Sequence, residues 1–86
     1  MKNLKYITWE TADGIPSFVV FPAHLRHRDI WNGLRRQFRE LEHALPVGAG
    51  FVQLASSNQG QQWTPYGRSE SLGIAVHSTD FFTLNS

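Results

Sequence analysis

Aromatic and β-branched residues crowd the apolar positions at the start of the chain and predict strands. Residues 4–10 hold Tyr6, Ile7, Thr8 and Trp9, all of which favour extended backbone. Thr11-Ala12-Asp13-Gly14 then reads as a turn, because Asp-Gly tolerates positive φ at little cost. Residues 15–21 form the returning strand of a hairpin. Ile15, Val19 and Phe21 point one way and Phe18 and Val20 the other, so this strand calls for cover on both faces.

Residues 29–45 change the period. Trp31, Leu34, Phe38, Leu41 and Leu45 recur at spacings of three and four, which makes one apolar stripe on a helix. Asp29 is the expected N-cap and Pro46 the expected stop. Gly33 either weakens this helix by about 1 kcal/mol or marks a close approach to the sheet. Beyond it, residues 47–54 read as a third strand and the polar stretch 56–62 as a loop. Residues 63–66 and 72–76 suggest two further strands, the first placed at an edge by Pro65. Ser78 or Thr79 is positioned to start a short terminal turn. The expectation is one α+β domain over residues 1–86. Its antiparallel sheet has four or five strands, from the hairpin 4–21 and segments near 47–55, 62–67 and 71–77, with the main helix packed on one face.

Composition adds limits. Three Trp, six Phe and two Tyr in 86 residues supply large side chains to a small core. The lack of cysteine excludes a disulfide framework and thiolate zinc sites. No apolar run approaches the roughly 18 residues of a spanning helix, and the first ten residues lack a signal-peptide core, so a cytoplasmic protein without membrane contact is expected. A net charge of +1 makes any electrostatic attraction local.

Candidate chemistry is sparse. Gly67-Arg68-Ser69-Glu70-Ser71 approaches a nucleophile elbow, but the final glycine is missing and a strand follows where a helix is needed. His24 and His27, three residues apart, lack further metal ligands nearby and read as surface histidines at a strand-to-helix junction. The carboxylates are scattered, with no acid/base pair. No catalytic, cofactor-binding or metal-binding residue is therefore assigned, and no cofactor is expected. The strongest charge feature is the set Arg26, Arg28, Arg35, Arg36 and Arg39. On a helix, Arg28, Arg35 and Arg39 lie within about 40° of one another, with Asn32 on the same stripe. These four are the candidate contacts for phosphates or an acidic partner; the alternative is a solvated face partly neutralised by Glu40 and Glu42. A pI of 8.3 falls below the value of about 9 that marks many nucleic-acid binders.

The run Gly48-Ala49-Gly50-Phe51-Val52, then Trp63-Thr64-Pro65-Tyr66-Gly67 and Ser69-Glu70-Ser71-Leu72-Gly73, resembles small uncharacterised proteins encoded by phages and prophages. Val19-Val20-Phe21-Pro22 before a His-bearing helix start is similar too, and the Arg-rich helix departs from the pattern. The resemblance implies a mobile-element setting and carries over no catalytic residue. The expected function is that of a non-enzymatic interaction protein, docking onto itself or onto a host or phage protein, with nucleic-acid binding through the arginine stripe as the alternative. Because one helix covers one sheet face, a symmetric homodimer is expected to cover the other. The competing explanation is a curled sheet, or a lid formed by Phe81 and Phe82.

Overall fold

In the computed structural model, which describes residues 3–58 and 60–86, the N-terminal hairpin folds as its residues predict. Strands β1 (Leu4–Glu10) and β2 (Pro16–Pro22) pair antiparallel, Leu4 opposite Pro22 and Glu10 opposite Pro16. The Thr11 N–H donates to Ile15 O at 2.9 Å, and the Thr11 hydroxyl accepts from the Ile15 N–H at 3.0 Å. Gly14 completes the turn at φ 78°, a region glycine enters without steric cost.

Strand β3 (Pro46–Ser57) pairs with the other side of β1, and β4 (Gly60–Tyr66) pairs with β3, giving the antiparallel order β2-β1-β3-β4. Most of the loop expected at 56–62 is therefore strand, and Gln59 of that stretch lies outside the described residues. Strands β5 (Arg68–Ser69) and β6 (Ile74–Ala75) form a separate two-stranded ribbon, so 71–77 is not a fifth strand of the main sheet. Gly67, at φ 75°, turns the chain at the end of β4 and redirects it into this ribbon.

The main helix, α1 (His27–Gln37), is shorter than its apolar stripe and starts earlier. Phe38 is extended (φ −117°, ψ 106°), a 3₁₀ turn spans Arg39–Leu41, and the chain then turns into β3. A helix over 29–45 would run about 25 Å, whereas the chain must come back to place Pro46 opposite Trp9. Breaking at Phe38 returns Leu41 to the core and leaves Phe38 46% exposed, where a helix packed by its stripe would bury it, and Leu45, at the end of the stripe, 80% exposed. Asp29 is not the N-cap. Arg26 holds that position without a side-chain cap, and Asp29 sits in the first turn, 3.3 Å from the Arg26 guanidinium. The first-turn N–H of Arg28 instead donates to Ser71 Oγ at 3.0 Å, a partner 43 residues away.

One sheet face carries Ile7, Trp9, Phe21 and Ala49, on which Trp31 and Leu41 are buried. The rings of Trp9 and Trp31 meet with centroids 5.5 Å apart. The other face carries Tyr6 and Val52, covered by Leu84 of a short C-terminal helix, α2 (Asp80–Asn85). Cover for the second face thus comes from within the chain. Leu84 supplies it, while Phe81 is half-buried and Phe82 is exposed. Thr79 is the N-cap of α2 but makes no side-chain cap bond.

Candidate interaction surface

The segment 32–42 has two sides, each lining a hollow. Asn32, Arg35, Arg36, Arg39 and Glu42 surround one open hollow of about 530 Å³. The structure thus brings Asn32, Arg35 and Arg39 together as the spacing predicts, even though the helix stops between Arg35 and Arg39. It adds Arg36 and leaves Arg28 outside. Arg35 is held in place by its Nη2, which donates to Glu42 O at 2.8 Å. Among the described residues the ion pairs are Arg26–Asp29 and Arg68–Glu70, so neither Arg36 nor Arg39 is neutralised by a paired carboxylate.

On the other side, α1 and the 3₁₀ turn face the N-terminal hairpin across an apolar groove of about 480 Å³. Trp9, Ile15, Phe18, Leu34, Phe38 and Leu41 line it, with Asp13 and Glu40 among its polar residues. Trp9 and Leu41 are buried at its base, whereas Ile15, Phe18 and Phe38 are 58%, 40% and 46% exposed. Of the residues that open this groove, Ile15 and Phe18 come from the hairpin and Phe38 is the one the helical stripe misplaced. Phe38 belongs to the stripe by spacing, and only the backbone break turns it out of the core.

Three buried polar groups lie away from these hollows. Asp80 is fully buried, and its carboxylate accepts from the Tyr6 hydroxyl, from Thr8 Oγ1 at 2.8 Å and from the His77 N–H at 2.8 Å. Burial, followed by the hydrogen bond and charge of Asp80, pushes the Tyr6 phenol well above its ordinary value, so the proton stays on Tyr6. Gly48 makes room for the carboxylate: an added Cβ there would stand 2.0 Å from Asp80 Oδ2. His27 is buried rather than on the surface, with Nε2 2.8 Å from Gly50 O and its ring edge-on to Phe21. Desolvation lowers its pKa, against the pull of the Gly50 carbonyl and with help from the Lys5 charge. The neutral ring therefore donates Nε2–H to Gly50 and pins the start of α1 to β3. His24 is exposed. Ser69 is fully buried and its hydroxyl accepts from the Leu72 N–H at 3.1 Å, so it is not presented to solvent.

No group of three or more His, Asp or Glu side chains gathers as a metal site among the described residues. No described helix is long and apolar enough to cross a membrane. No family model, curated protein or solved structure matches the chain.

Proposed function

We propose that the chain is a non-enzymatic interaction protein and that the groove between the hairpin and α1 docks a protein partner. The observation that carries this reading is the gathering of Ile15, Phe18 and Phe38, all substantially exposed, around one hollow. Large apolar side chains exposed singly need no explanation, but a contiguous set rimmed by charge is how interfaces are built. Phe38 and Ile15 would serve as the anchors, and Asp13 and Glu40 would set orientation. A second copy of the chain and a host or phage protein are both partners of this kind, and the setting in this reading is cytoplasmic. Selection of a random peptide library on the immobilised protein tests it. Enrichment of sequences with aromatic or aliphatic anchors, lost in the double variant Ile15→Glu/Phe38→Glu, is the expected result; absence of enrichment on the unmodified protein contradicts it.

A second reading, nucleic-acid binding, is favoured by one observation: three guanidinium groups and an amide outnumber the single carboxylate, Glu42, around one hollow, and among the described residues Arg36 and Arg39 have no ion-pair partner. Phosphate contacts of this kind weaken steeply with salt. Fluorescence anisotropy with labelled single- and double-stranded DNA at low salt would show binding that Arg36→Gln/Arg39→Gln abolishes. No binding to the unmodified protein ends this reading.

A further inference from the structure

The fold closes the surfaces through which a small sheet protein ordinarily pairs with itself. α1 covers one sheet face and α2 the other. At the β2 edge, the Thr11–Ile15 bond fixes the alternation: Ser17, Val19 and Phe21 direct their backbone groups to β1, and Pro16, Phe18, Val20 and Pro22 direct theirs outward. Two of those four outward positions are prolines without an N–H, which blunts the edge. At the β4 edge, Asn85 brackets Trp63, accepting from its N–H and donating to its carbonyl, each at 2.8 Å. A neighbouring strand would make the same pair of bonds. Pro65, two residues on and outward by the same alternation, offers no donor.

The groove beside 32–42 remains open, and its charges are arranged in a particular way. Asp13 and Glu40 belong to the groove, while Arg36 and Arg39 stand on the opposite side of the same segment. Resting on the docking reading above, we infer that the occupant of the groove is a second copy of the chain. The two copies are related by a twofold axis near Phe38, with Arg36 and Arg39 of each lying against Asp13 and Glu40 of the other. A twofold contact must be self-complementary, because each patch meets its own image. The surface around Phe38 meets that condition: segment 32–42 carries the apolar groove with its acidic residues on one side and the basic ridge on the other. The net charge of +1 adds little repulsion between copies.

Two charge-reversed proteins test the arrangement, Asp13→Arg/Glu40→Arg and Arg36→Glu/Arg39→Glu. All four positions are exposed, so folding should be retained, and circular dichroism checks it. Light scattering of the unmodified protein should rise from 9.8 kDa toward twice that mass on concentrating. Each variant should need at least a tenfold higher concentration to associate, through like-charge contacts across the axis, and an equal mixture of the two should associate at the unmodified protein's concentration. A dimer that neither reversal weakens, or a mixture that is not restored, overturns the proposed contact. A mass that stays at 9.8 kDa while peptide selection on the groove succeeds overturns the second copy as occupant and leaves the docking reading standing. Failure of both experiments removes both.

Discussion

Asp80 shows how much of this fold hangs on single polar side chains. Its carboxylate faces three donors, from Tyr6, Thr8 and the His77 backbone. Asp80→Asn would point an amide donor at them and leave buried groups unpaired, at a cost of about 1–3 kcal/mol. Gly48→Ala should cost about 3 kcal/mol, because its methyl would collide with that carboxylate. Urea unfolding of the two variants checks both; unchanged midpoints would mean that Asp80 does not hold α2 down. His27 gives a pH dependence of defined sign. Its folded pKa lies below the unfolded value of 6.5, so the stability contributed by the neutral ring is complete above about pH 6.5. It is lost as the pH falls through the lowered value. The urea midpoint should therefore drop more between pH 7 and pH 5 in the unmodified protein than in His27→Gln, whose amide can still donate to Gly50. Equal drops would contradict the buried neutral ring. Neither residue announced itself in the sequence. Asp80 binds partners 72 and 74 positions away, and His27 reads as a surface residue until Gly50 is brought to it.

Among the elements, β1 was legible to the residue, because its local pattern and the Asp-Gly turn agree with the tertiary structure. The helix was legible in kind and misjudged in length. Its stripe continues through Phe38 and Leu41, so spacing alone cannot reveal a break imposed by the route to Pro46. The candidate arginine site survived that error in part, since Asn32, Arg35 and Arg39 converge by a different path, while Arg28 is left out and Arg36 joins. Truncations separate the stripe's members. Trp31→Ala should cost about 3–5 kcal/mol as a buried core residue, whereas Phe38→Ala should cost about 1 kcal/mol or less. Similar losses would return Phe38 to the core. Gly33 marks no close approach, because an added Cβ meets nothing within 4 Å. Gly33→Ala should then stabilise α1, by up to about 1 kcal/mol in thermal or urea unfolding.

For the whole molecule, the short second helix decides where a partner can sit. Had the second sheet face stayed bare, that face would have been the natural interface. With Leu84 on it, Asn85 on one sheet edge and prolines along the other, the groove beside Phe38 is where three exposed apolar side chains, Ile15, Phe18 and Phe38, share one hollow. Amide hydrogen exchange at low and high protein concentration tests the claim most directly, because association protects the backbone it covers. Protection that grows on concentrating within residues 11–18 and 34–42, and nowhere else, is the predicted result. Exchange that is unchanged at those residues, or new protection on β4 and α2 instead, would contradict the groove as the interface.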